Sequence, residues 1–124
     1  MKVGLISDIH LGYSDELFDS TIRALEESKN YFESKDVDVV VILGDLIHER
    51  NYDTDASNIR KVYETLRGCY DLYAVAGNHD TPNITLSEFS QITETSQNGF
   101  YDYGKTRLWF ADTASPDQCR ISGS

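Results

Sequence analysis

Apolar positions along the chain change period several times, and each change marks an element. Residues 2–7 read as a short apolar strand. Residues 14–35 read as a helix: Phe18, Ile22, Leu25 and Phe32 fall on one face at spacings of four, three and seven. Asp15, Glu16 and Asp19 crowd its first turn, where the positive end of the helix dipole favours carboxylates. Residues 37–43 are β-branched and almost unbroken, as in a parallel strand covered on both faces. Residues 54–67 read as a second helix, with Ile59, Val62, Tyr63 and Leu66 on one side and Arg60 and Lys61 on the polar face. Gly68 follows it at the position where a left-handed residue commonly closes a helix. Residues 72–76 form a third strand pattern. Thr85-Leu86-Ser87-Glu88 is a capping box opening a short helix that runs to about residue 95. Residues 100–103 and 106–112 read as two strands joined by Gly104-Lys105, a hairpin signal. Trp109, inside the second of these, is expected in the core.

The predicted order is therefore β-α-β-α-β-α-β-β. Strands alternating with helices imply βαβ units, a largely parallel sheet and the α/β class. The chain has 124 residues, which fits a single domain over 1–124. Residues 115–124 carry no periodicity and are expected to be irregular. At 40% hydrophobic and 26% charged the composition is globular, which excludes a disordered or fibrous chain. The run 39–43 is far shorter than the ~18 apolar residues needed to cross a bilayer. The N-terminus lacks the apolar stretch and cleavage site of a signal peptide, so the expected location is the cytoplasm. Cys69 and Cys119 show no metal-type spacing and read as free thiols.

Charge narrows the partners. Lys and Arg number 11 against 21 Asp and Glu, a net charge of −10. Such a surface repels phosphate backbones, which argues against non-specific nucleic-acid binding; with no apolar run long enough to span a bilayer, no membrane partner is expected. An anionic substrate then needs a local positive feature, such as a metal ion, to override the global field.

The first three strand patterns end alike. One stops at Ser7-Asp8-Ile9-His10, the next at Gly44-Asp45, the third at Gly77-Asn78-His79-Asp80. In open α/β sheets the ligand crevice lies beyond the carboxyl ends of the strands. Three distant segments should thus deliver Asp8, His10, Asp45, Asn78, His79 and Asp80 to one place. In extended chain, Asp8 and His10 point the same way and can grip one cation. Gly44 and Gly77 allow sharp departures from the sheet. Asp45, with two carboxylate oxygens, is the candidate bridge between two cations. Carboxylate, amide and imidazole ligands together suit Mn, Fe or Zn. Taken singly, an Asp after a strand is often only a cap or turn residue; the ordered set of three carries the reading. His48, three residues after Asp45, either supports the site or is plainly solvated.

These segments resemble the first three motifs of the calcineurin-like metallophosphoesterases, and the resemblance covers residues 1–112. It implies a β-sandwich flanked by helices and two divalent metal ions that hydrolyse phosphomonoesters, phosphodiesters or cyclic nucleotides. It implies that Asp8 and His10 bind one metal, Asp45 bridges and Asn78 binds the second. His79 would protonate the leaving oxygen, and Asp80 would orient His79. Phe110-Ala111-Asp112-Thr113, after the Leu108-Trp109 strand, resembles a segment of the cyclic-nucleotide phosphodiesterase branch. Asp8-Ile9-His10-Leu11-Gly12-Tyr13 and Gly44-Asp45-Leu46-Ile47-His48 resemble the double-strand-break repair nucleases instead. The charge favours a small phosphoester.

The resemblance also has an edge. The family draws further ligands from a later histidine and a Gly-His-x-His motif, whereas the last histidine here is His79. The expectation is a partial metallophosphoesterase-type sheet without its C-terminal half, with fewer protein ligands for the second ion. Two competing functions follow: a non-catalytic metal-binding remnant, and an interaction module. Core surface left open would favour self-association or a partner supplying the missing half.

Overall fold

The computed structural model describes residues 1–113; the irregular tail and Cys119 lie outside them. The elements are β1 (Val3–Ile6), α1 (Phe18–Ser34), β2 (Val39–Leu43), α2 (Tyr52–Leu66), β3 (Asp71–Val75), α3 (Leu86–Thr93), β4 (Gly99–Tyr103) and β5 (Thr106–Phe110). Their order is the one expected from the sequence. β1, β2 and β3 form a parallel sheet in that order, with Val3 opposite Val39 and Val39 opposite Asp71. β4 and β5 form a separate antiparallel hairpin. The architecture is α/β, a three-stranded parallel sheet with helices, consistent with the partial sheet that the resemblance led us to expect.

Strand β2 explains why its sequence is apolar on both faces. Val40 and Ile42 face one way and join Leu25, Ile59, Val62, Leu66 and Phe89 from the three helices. Val39 and Val41 face the other way and pack with Phe110, Tyr73, Val75, Tyr101 and Leu108 beneath the hairpin. A strand between two apolar layers buries successive residues, so its period-2 signal disappears. The hairpin leaves Val3, Leu5 and Leu43 exposed on that second face. Among the described residues, no helix is long and apolar enough to cross a membrane.

Three local expectations are corrected. Helix α1 starts at Phe18, not at residue 14. Ser14 Oγ accepts the Leu17 N–H at 3.3 Å and Asp15 pairs with Arg50 at 3.0 Å, so residues 14–17 make a tethered turn. Of the three expected first-turn acids, only Asp19 lies in the helix. Gly68 is not left-handed, because α2 closes through Arg67 in an extended conformation. A Cβ at Gly68 would instead press on the Tyr70 ring and the Glu33 carboxylate, so crowding is what favours glycine there. Trp109 is 69% exposed. Leu108 and Phe110 take the inner face of β5, and alternation turns Trp109 outward against Phe100 at 4.9 Å. The capping box at Thr85 and Glu88 forms as expected.

Candidate metal centre

The loops leaving β1 and β2 run side by side. Their backbones continue the sheet: His10 N–H donates to the Asp45 carbonyl at 3.0 Å, Leu11 N–H to Leu46 at 3.0 Å, and His48 N–H to Leu11 at 2.9 Å. Within this short ladder Asp8, His10 and Asp45 all adopt left-handed backbone, with φ of 56°, 52° and 53°. For a residue with a Cβ this costs on the order of 1–3 kcal/mol each. The other two such residues among those described, Asp36 and Glu94, merely follow or close a helix. Asp8 and His10 thus meet through paired kinks, not through the alternation of extended chain.

The kinks bring donor atoms together. His10 Nε2 lies 3.6 Å from Asp8 Oδ1 and 3.9 Å from Asp45 Oδ2. Two ligand atoms bound about 2.0–2.2 Å from one ion stand roughly 3–3.5 Å apart, so small movements would close this set on a cation. One nitrogen and two carboxylates, all within 4.8 Å, suit a divalent ion of the Mn, Fe or Zn type. On the other side of the ring, His10 Nδ1 is buried without a hydrogen-bond partner among the described residues, as is His48 Nδ1. The residues present therefore fit a divalent metal ion.

The third loop arrives through a close backbone approach. Gly44, at φ 92°, lies against Gly77, and a Cβ on Gly77 would collide with Asp45. That contact lets the His79 N–H donate to Asp45 Oδ1 at 3.0 Å. Asn78 lies between Gly77 and His79 in the chain and is exposed. His79 lies ring-to-ring with both other histidines, 5.0 Å from His10 edge-on and 5.0 Å from His48 stacked. Ring nitrogens of His10, His48 and His79 make a second set within 4.8 Å. His48 thus lines the site.

The expected partner of His79 is corrected. Asp80 is fully buried, and its carboxylate accepts the N–H groups of Ile47 at 3.1 Å and Gly77 at 2.8 Å. It ties the second and third loops together instead of orienting the ring. Glu49 holds the ring: its Oε2 lies 2.7 Å from His79 Nδ1. That hydrogen bond raises the His79 pKa above its ordinary value. On Glu49, burial is outweighed by hydrogen bonds from its own N–H and from His79, which lower its pKa. The loop is anchored one residue on, where buried Asp55 accepts the Arg50 N–H at 2.8 Å. Sequence reasoning passed over Glu49; its one signal was a carboxylate four residues after Asp45 in the same loop.

Asp80 carries a pH prediction. Burial pushes its carboxyl up to about 7, against the opposing backbone N–H groups, whereas its ordinary value is 3.8. Between these limits the folded chain binds the proton and the unfolded chain has released it. Stability from this group is therefore complete below the unfolded value and is lost as pH rises through the folded one. The loss is at most on the order of 4 kcal/mol. Asp80→Asn removes the slope. Thermal melts of both proteins should show the Tm difference shifting toward the variant from about pH 4 to 7. A difference that does not change with pH would contradict this.

Comparison with protein families gives a match to the calcineurin-like phosphoesterase model over residues 1–121. Comparison with curated proteins returns no match. The family is one of metal-dependent phosphoester hydrolases, and the His and Asp groups described above are of the type that holds its metals. The chain belongs to the calcineurin-like phosphoesterase family.

Proposed function

We propose that the chain hydrolyses small phosphoesters at a dinuclear centre, with Asp8 and His10 holding one divalent ion, Asp45 bridging and Asn78 reaching the second. The observation that carries this reading is the convergence of Asp8, His10 and Asp45 within 4.8 Å on three left-handed residues. When bound, divalent cations supply Lewis-acid charge on the phosphoryl oxygens and a nucleophile near neutral pH. They also offset the carboxylates, which answers the problem of an anionic substrate on a chain of net charge −10.

The chain's own groups handle the proton. Glu49 keeps the His79 Nδ1–H, leaving Nε2–H to be donated to the departing ester oxygen. The P–O bond to that oxygen breaks as water adds to phosphorus. The alcohol leaves with the proton of His79, and the proton released from water restores the imidazolium. Left-handed backbone at Asp8, His10 and Asp45 holds their carboxylates and ring before any ligand arrives, which lowers the ordering cost of binding.

The test is turnover of bis-p-nitrophenyl phosphate and p-nitrophenyl phosphate by purified protein with Mn, Zn, Fe or no added ion. Ion-dependent release of nitrophenol is expected. Absence of turnover with every ion, in a protein that binds metal, would leave the non-catalytic metal-binding reading in its place.

A further inference from the structure

A cavity of about 340 Å³ opens beside the metal centre, between the loop after β1 and the start of α1. His10 and His48 line it together with Ile9, Tyr13 and Leu17, and Gly12, Ser14 and Thr21 complete a mostly apolar wall. Phosphoryl oxygens have no use for such a wall, since cations and N–H groups recognise them. An apolar hollow flush with a phosphoester site is suited to the organic part of the ester. Its size lies at the small end of the roughly 300–1,000 Å³ of small-molecule sites, which fits one ring system and not a polymer.

Its mouth gives the shape of the occupant. Tyr13 is 66% and Leu17 52% exposed, two large apolar side chains flanking one concavity. The Tyr13 ring stands edge-on to His48 at 5.2 Å, and His48 is stacked on His79. A row of ring faces and edges thus leads from the pocket mouth to the His79 imidazole, and offset-stacked or edge-to-face packing favours a planar aromatic guest. The walls are built before any guest arrives. Arg50 Nε donates to the Gly12 carbonyl at 2.9 Å, and the same guanidinium pairs with Asp15 at 3.0 Å, pinning the loop on both sides of Tyr13.

We propose that this pocket binds the aromatic ring of an aryl or heteroaryl phosphoester, placed against Tyr13 and Leu17 while the phosphoryl group lies at the metal centre. The substrate assignment rests on the phosphoesterase reading; the ring-binding site itself does not. The test is therefore a binding measurement, an ¹⁵N–¹H chemical-shift titration of the chain with adenosine, phenyl phosphate and ribose 5-phosphate. The amides of Tyr13, Leu17 and Thr21 are expected to shift saturably with the ring-bearing probes, and about tenfold more tightly than with ribose 5-phosphate. Preference for adenosine over phenyl phosphate would point to a nucleoside ester, the reverse to a simple aryl ester. Leu17→Trp, which fills the cavity, and Tyr13→Ala, a surface change that leaves the fold, should each weaken ring binding by about tenfold. Equal response to ribose 5-phosphate, no response at these amides, or unchanged binding in both variants would overturn the proposal. A chain that binds rings here and turns over no phosphoester loses the catalytic reading and keeps the pocket. A chain that hydrolyses phosphoesters while these amides stay silent loses the pocket and keeps the catalytic reading.

Discussion

Asp45→Asn is expected to leave a folded protein with almost no phosphoesterase turnover. The asparagine keeps the size of the side chain and an oxygen that can accept the His79 N–H, the contact that seats the third loop. It also tolerates left-handed backbone at φ 53° as well as aspartate does. What it removes is the charge beside His10 Nε2 and the second carboxylate oxygen. Removing even an outer partner of a metal ligand costs about 10–100-fold in affinity, so loss of the proposed bridging ligand should cost at least about a hundredfold. Turnover should fall by about a thousandfold or more, because each 1.36 kcal/mol of lost transition-state stabilisation is a factor of about ten and the ions supply several. The metal-free variant should melt no lower than the parent, since one of two neighbouring carboxylates has been neutralised. Asp45→Ala also loses the hydrogen bond to His79 and should be destabilised by about 1–2 kcal/mol. Calorimetric metal titration, turnover and thermal melts together check this. A variant that still binds metal and turns over like the parent would show that Asp45 is only a loop residue.

Changes at His79 should depend on the leaving group. As a general acid, its loss in His79→Gln is worth about 10²–10⁴-fold, and only where the departing oxygen needs a proton. Alkyl esters should suffer most, and p-nitrophenyl esters, whose phenolate leaves unaided, least. Glu49→Gln replaces the carboxylate, whose hydrogen bond and charge raise the His79 pKa, with a neutral side chain of the same length. The protonated ring is then lost at lower pH. The alkaline limb of the activity profile for an alkyl ester should move to lower pH, with KM nearly unchanged. Glu49→Asp, too short to span the 2.7 Å contact without a shift of the loop, should lower kcat without mimicking that pH change. Equal losses for alkyl and nitrophenyl esters in His79→Gln would assign the ring to substrate positioning instead.

The alternation of elements was readable because period is a physical property of burial. Helices α1 and α2 have one apolar face each, and β2 is covered on both. The three strand ends were readable because donor-rich residues follow apolar runs at the edge of a sheet. What sequence could not supply was backbone conformation and long-range pairing. Nothing in Asp8-Ile9-His10 announces two left-handed residues, because that conformation is imposed by the ladder with residues 44–48. The roles of Asp80 and Glu49 depend on which acid reaches which partner across 30 or more positions. Trp109 was misjudged because hydrophobicity says nothing about which face of a two-layered hairpin looks outward. Ser14 is an ordinary start residue for a helix, but here its hydroxyl takes the Leu17 N–H and Asp15 pairs with Arg50, so residues 14–17 form a turn ahead of the helix.

The central claim is that Asp8, His10 and Asp45 hold a divalent cation. Crystals grown with Mn or Zn, measured at the absorption edge of the metal, test it most directly. An anomalous peak about 2.0–2.3 Å from Asp8, His10 and Asp45 is the expected result. A peak enclosed by His10, His48 and His79 alone, or well-ordered loops with no peak at all, would contradict it.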